Sequence, residues 1–410
     1  MNSRIFYFTL LFALVTGRAS RVLGSGGHSK TEKWWREVVG GCTYVAYLPD
    51  GKQAVAEYQS GGPRLLNVTN HVSFAQKFPI ANPGGGHLFF GDAALSPDGL
   101  YFAAIVSAVS HGAGKLFLWR VGPKCRLLWR ASKVEIDGTR VAFSPNSKLV
   151  VAGRYIIGKG WRIGMQLWSA RGGKVRAQAQ WFPGIIAHHF PGPLALSFLG
   201  NRRVAASLDH RLLIWGYRPG RPGMGELRLI TCRWYPLVIS MQSLQRGRRL
   251  AILHPFYSHG DPNSNNLGKA ADPPGTGDLA ILRVPSGDRS RVLTWRMGLG
   301  LRKAISQITM GDYLQLAPVE APMIVTPNDR FAIVTQLAHD GNWKRFGSNF
   351  LVIRLSDGRI IYRSPVVKGW VHTLSFSPLR RSLLFGDYRG VHMFGLPMRV
   401  WDKLRAKNRK

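Results

Sequence analysis

Cysteine is nearly missing: Cys42, Cys125 and Cys232 are the only three in 410 residues. None sits at the spacing of a zinc site or a redox pair, which excludes a disulfide-stapled scaffold, a zinc module and thioredoxin-like chemistry. One disulfide with one free thiol stays open in an oxidising compartment, although buried single cysteines acting as small hydrophobes fit better. Extended stretches with apolar residues every 3.6 positions are also absent, which excludes a helical bundle. No Walker loop, dinucleotide fingerprint or nucleophile elbow occurs, so the common phosphate-binding and serine-hydrolase sites have no sequence basis. Acidic residues are scarce: 21 Asp plus Glu stand against 56 Lys plus Arg, a net charge of +35.

What is present favours strands and turns. The chain is 45% apolar and 11% aromatic, with 47 glycines and 24 prolines, enough to bury a large core while reversing direction often. Arg4 precedes an apolar run, Ile5–Val15, followed by Gly17, Ala19 and Ser20. A bilayer span needs about 20 residues, so residues 1–24 read as a secretory signal peptide, cleaved after Ala19 or Gly24. An uncleaved anchor or a buried first strand is the alternative. Loss of Arg4, Arg18 and Arg21 with the signal would leave a net charge of +32, from 35 minus 3. The expected location is periplasmic or secreted. Such a surface attracts acidic proteins or anionic polymers, and the predominance of Arg suits bidentate contacts to carboxylate or phosphate. Codon bias or a generally basic compartment would produce the same composition.

The stretch "AALSPDGLYFAAIVS" from Ala93 sets the pattern of the whole chain. Equivalent anchors are Pro49, Pro97, Pro145, Leu199, Arg246, Pro327 and Pro378, spaced by 48, 48, 54, 47, 81 and 51 residues. Each lies between two short apolar runs, where Pro presets φ and Gly, Asn or Asp allows the reversal. A third run ends in an aromatic at Trp119, Trp168, Trp215 or Phe394, placed to fill the gap between neighbouring sheets. A repeat near fifty residues built from short strands predicts an all-β fold: a single seven-bladed β-propeller of four-stranded antiparallel blades over residues 25–398. The seventh unit lacks a fourth strand. "EKWWREVV", from Glu32 to Val39, is expected to supply it, closing the ring with an N-terminal strand and removing an exposed edge. Residues 399–410 read as a basic, solvated tail.

These residues resemble the WD-repeat family of propellers. Gly86 and His87 match the family's Gly-His start, 32 residues before Trp119, and "VAASLDHRLLIW", with Asp209 at its bend, matches the family's middle hairpin. Arg120, Ser169 and Gly216 replace the family's Asp after Trp. The resemblance implies a divergent relative, bacterial in type, whose internal hydrogen-bond network differs.

The candidate sites are few. Arg202, Arg203, Arg246, Arg248, Arg249, Arg380 and Arg381 occupy equivalent hairpins of units four, five and seven, so they are expected to gather on one rim as a partner-binding surface. The long insertion from His254 to Asp278 places Asp261, Asn263, Asn265 and Asp272 at calcium-loop spacing, but Asn266 stands where glycine is needed and Lys269 adds charge. A loop without metal is the stronger reading. His188 and His189 are adjacent and point to opposite faces of a strand, a poor metal pair. No catalytic set and no cofactor are expected. The function that follows is a noncatalytic scaffold for an acidic protein or anionic polymer, with no specific nucleic acid and no transmembrane span after signal cleavage. The alternative is a propeller enzyme, resembling lactonases, hydrolases or quinoproteins, with a site in the channel.

Overall fold

The computed structural model describes residues 35–37, 41–58, 61–69, 71–80, 88–108, 114–131, 140–156, 162–181, 195–208, 211–220, 224–234, 238, 240–244, 247–254, 276–283, 289–296, 322–339, 346–369 and 371–405. They form a seven-bladed β-propeller of antiparallel sheets.

The short strand β1 (Trp35–Glu37) precedes blade 1, which is β2 (Cys42–Tyr47), β3 (Gln53–Tyr58), β4 (Gly62–Asn67) and β5 (Ser73–Lys77). Blade 2 is β6 (Leu88–Leu95), β7 (Tyr101–Ala108), β8 (Gly114–Arg120) and β9 (Arg126–Arg130). Blade 3 is β10 (Val141–Phe143), β11 (Leu149–Ile156), β12 (Arg162–Ser169) and β13 (Val175–Trp181). Blade 4 is β14 (Ala195–Phe198), β15 (Arg203–Leu208), β16 (Arg211–Arg218) and β17 (Glu226–Trp234), and blade 5 is β18 (Ser240–Leu244), β19 (Arg249–His254), β20 (Thr276–Arg283) and β21 (Arg289–Arg296). Blade 6 is β22 (Met323–Val325), β23 (Phe331–His339), β24 (Phe346–Arg354) and β25 (Ile360–Arg363), with β26 (Val367–Lys368) also on β24. Blade 7 comprises β27 (Thr373–Phe376), β28 (Ser382–Asp387) and β29 (Gly390–Gly395).

The expected closure is present. β1 pairs antiparallel with β29, Trp35 opposite Met393 and Glu37 opposite Val391, and becomes the fourth strand of blade 7. The first strand of every blade touches the first strands of both neighbours, through β2, β6, β10, β14, β18, β22, β27 and back to β2.

The core follows from that ring. Seven apolar clusters lie one at each blade interface. Trp119 joins Val55 and Leu65 of blade 1, Trp168 joins Ala103 and Leu116 of blade 2, and Trp215 joins Val151 and Leu167 of blade 3. Phe394 packs with Phe350 of blade 6 at a ring separation of 5.5 Å. Each aromatic therefore fills the space toward the preceding blade, as expected. Leu66, Leu282 and Ile353 take the same place in blades 1, 5 and 6. In blades 1 to 6 a register shift between the third and fourth strands falls at this residue. A bulge there bends and twists the outer strand.

The C-terminal end differs from the expected solvated tail. Residues 398 to 405 form helix α1 (Met398–Arg405), with Val400, Trp401 and Leu404 buried against Phe376 and its neighbours. The indole of Trp401 meets Phe376 edge-on at 5.8 Å, and Asn328 Nδ2 donates to Leu404 O at 3.0 Å. The basic residues hid an apolar face repeating every three to four positions. No helix among the described residues is long and apolar enough to cross a membrane. Trp401→Ala should lower unfolding stability by about 3 kcal/mol, read from denaturant unfolding. A loss under about 0.5 kcal/mol, the level of an ordinary surface change, would show that the helix does not dock in solution.

Candidate functional site

Antiparallel blades place every turn between first and second strands at one end of the propeller, together with the turns between third and fourth strands. At the centre of this end the repeated "SPDG" stretch is a hydrogen-bonded turn. Ser96 Oγ donates to Asp98 Oδ1 at 2.6 Å and accepts from Tyr101 N at 2.8 Å, while Leu100 N donates to Asp98 Oδ1 at 3.0 Å. Ser144 and Asn146 repeat the arrangement in blade 3, and Thr326 and Asn328 in blade 6. The next residue is left-handed, with φ of 64° at Gly51, 72° at Gly99, 59° at Ser147 and 53° at Asp329.

Neighbouring turns also touch. Asp98 N donates to Ser147 Oγ at 3.2 Å, Asn146 N to Asn201 Oδ1 at 3.1 Å, Arg203 Nη2 to Gly247 O at 3.2 Å, and Arg380 Nε to Gly51 O at 2.9 Å. Gly99 lies against Pro49, since a Cβ on Gly99 would be 2.4 Å from Pro49 Cδ. Asp98 is thus a turn cap.

Of the seven arginines expected to share a rim, Arg202, Arg248 and Arg381 are exposed, and Arg203, Arg249 and Arg380 are half-buried. Arg203 and Arg380 spend donors on turn carbonyls. Arg246 lies outside the described residues, as do Asp261, Asn263, Asn265, Asp272, His188 and His189. Among the described residues, no three His, Cys, Asp or Glu side chains converge as a metal site would require. Cys42 and Cys125 are buried and Cys232 is exposed, all three as free thiols. Burial pushes the Cys42 thiol well above its ordinary pKa, so it stays protonated at neutral pH.

A wider pattern surrounds the three exposed arginines. The residue just before the second strand is Lys52, Leu100, Lys148, Arg202, Arg248, Arg330 and Arg381 in blades 1 to 7, and all seven are exposed. Six are basic. Lys and Arg make up 56 of 410 residues, so composition alone would make about one of seven basic, and the recurrence belongs to the position. Among the described residues none of the six has a carboxylate within ion-pair distance. The pattern was readable in the chain: the position is third after the anchor in six units and second after Arg246 in the fifth. Two nearby carboxylates are committed to the turns, as Asp50 Oδ1 accepts from Lys52 N at 2.8 Å and Asp98 caps its own hairpin.

Two other polar clusters serve the frame. Asp92 Oδ2 accepts from Val141 N at 2.6 Å and Asp92 Oδ1 from Arg140 Nη1 at 3.3 Å, tying blade 2 to blade 3. Burial raises the Asp92 pKa, partly countered by Arg140. In blade 7 the buried Asp387 accepts from Arg389 Nε at 2.9 Å and bonds His392 Nε2 at 2.9 Å, while Arg389 also donates to Lys368 O. Burial alone would raise the Asp387 pKa, but His392 and Arg389 outweigh it and hold the carboxyl below its ordinary value.

The fold and this end face define a class, a seven-bladed β-propeller with a basic turn face. No family model and no curated protein matches the chain.

Gly99→Ala forces a side chain into left-handed backbone, which costs about 1–2 kcal/mol, and drives it into Pro49. Thermal unfolding should fall by at least that equivalent, and an unchanged transition would mean the turn ring is not packed as described. Because the folded pKa of Asp387 is depressed, its contribution is present above the unfolded carboxyl pKa near 4 and is lost as pH falls toward the folded value. Asp387→Asn should destabilise the protein at neutral pH and flatten its stability curve below about pH 4. Parallel acid limbs for the two proteins would exclude the ion pair as the cause.

Proposed function

We propose that the chain is a noncatalytic propeller of the WD-repeat type that works outside the cytoplasm and binds an acidic protein or an anionic polymer through its basic end face. The observation that carries this reading is the basic residue at six of seven equivalent, exposed blade positions. The backbone in these turns is held by Ser, Thr, Asn and Asp side chains, so the lysines and arginines are not needed to make the turn. Repetition of a charge that the fold does not require points to a partner of opposite sign. The signal-like residues 1–24 support the location. The Gly86-His87 start, the Trp119 position and the Asp209 hairpin support the WD-repeat kinship.

Replacing Lys52, Lys148, Arg202, Arg248, Arg330 and Arg381 together by Gln should weaken binding to poly-glutamate at low salt about a hundredfold, since six exposed contacts at about 0.5 kcal/mol each sum to about 3 kcal/mol. The control removes six exposed charges from fourth strands, at Lys77, Arg126, Arg130, Arg176, Arg228 and Arg363. Equal losses in the two variants would assign binding to net charge and reject a dedicated face. The same pair of variants, used as bait on an envelope fraction at low and high salt, would identify a natural acidic partner.

A further inference from the structure

The arrangement of the basic positions restricts what can occupy the face. A linear polymer or an acidic helix is best met by charges in a stripe or groove, whereas here the charges are distributed one per blade around the propeller axis, with only blade 2 departing. The turns of blades 2 to 5 are linked edge to edge, as are those of blades 7 and 1. The outer turns at the same end add exposed Lys124, Arg171, Lys174 and Arg359, and helix α1 adds Arg399 and Lys403. Among the described residues, Asp50, Asp98, Asp329, Asp357, Asp402 and Glu226 are the carboxylates at this end; Asp357 is paired with Arg354 and the first two are held in turns. Positive charge therefore spreads over a broad face.

Large apolar side chains stand among these charges. Leu100 is 47% exposed and takes the one turn position that is not basic; Leu379 in the blade 7 turn is 62% exposed, and Met398 at the start of α1 is 55% exposed. Phe74, Val175 and Met224 are exposed at the outer turns of blades 1, 3 and 4. A soluble polyanion offers nothing for these groups to enter. The boundary between headgroups and acyl chains of a bilayer offers both phosphate charge and apolar depth, and peripheral binding combines the two.

We propose that this end face docks on the surface of an anionic lipid bilayer, its blade-tip lysines and arginines lying over the phosphates while Leu100, Leu379 and Met398 enter the interface. The inference rests on the reading of the face as an anion-binding surface and narrows its partner to a planar one. A plane normal to the propeller axis is the partner shape that meets charges on six blades at once. It also needs no concave pocket.

The test measures co-sedimentation of the full chain with phosphatidylcholine vesicles containing or lacking phosphatidylglycerol, alongside poly-glutamate binding, for three proteins: the native chain, the six-Gln variant and a Leu100→Ser, Leu379→Ser, Met398→Ser variant. All the substituted side chains are exposed, and circular dichroism and thermal unfolding check that each variant is folded. The native chain should bind the anionic vesicles and not the neutral ones, more weakly as salt rises. Each basic residue removed should weaken partitioning about fivefold. The triple Ser variant should lose at least tenfold on vesicles while keeping native poly-glutamate binding. Poly-glutamate binding without vesicle binding, or vesicle binding indifferent to the Ser changes, overturns the bilayer inference and leaves the anion-binding reading standing. Binding to neither overturns both.

Discussion

The innermost strand of each blade has one edge that no strand of its own sheet covers, and the propeller depends on satisfying it. A buried amide without a partner costs about 1–3 kcal/mol, so seven neglected edges could not be sustained. Among the described residues, side chains from the neighbouring inner strand supply partners at four of the seven interfaces. Thr373 Oγ1 accepts from Val45 N at 3.1 Å and Ser375 Oγ from Tyr47 N at 2.9 Å, joining blade 7 to blade 1. Tyr44 OH accepts from Leu95 N at 2.8 Å, Asp92 from Val141 N, and Gln242 Oε1 from Val325 N at 2.7 Å. The donor is a backbone amide each time and only the acceptors vary in chemistry. Each bond can form only when the next blade is in place, which makes closure cooperative.

That constraint also decides where a surface function can be written. Inner strands are occupied by edge satisfaction, and the middle strands by the apolar interfaces around Trp119, Trp168, Trp215 and their equivalents. Within a turn, Ser or Thr, Asn or Asp and the left-handed residue each have a structural duty. The residue before the second strand is the first whose side chain is released from these duties. A substitution there changes the end face without touching the frame, and the closed ring repeats the opportunity once per blade.

The fold was legible because its signals are local and repeated. Turn anchors about fifty residues apart, aromatics such as Trp168, and a seventh unit short of one strand imply the propeller and its closure by residues near 35–37. What stayed hidden depends on neighbours that are distant in sequence. Nothing in "FGDAAL" marks Asp92 as an acceptor for blade 3, and the charges of "RVWDKLRAKNRK" masked the face formed by Val400, Trp401 and Leu404. The site was partly legible. A search for clustered arginines finds blades 4, 5 and 7, but the lysines of blades 1 and 3 and the single Arg330 become visible only when one position is followed through all seven units.

A ring of like charges works against the fold that displays it, because exposed cations on neighbouring blades repel. The arrangement moderates this by allotting the position one residue per blade and by interrupting it with Leu100. Two of the four hydrogen bonds that join adjacent turns use backbone amides as donors, and in the other two, from Arg203 and Arg380, a guanidinium donates to a backbone oxygen. These bonds between adjacent turns therefore use no carboxylate that would neutralise the charges. In the reading proposed above, an anionic partner supplies the missing counter-charge and relieves the repulsion. Occupancy of the face then stabilises the folded ring by ordinary linkage, so the same side chains that strain the free propeller are those that reward its docking.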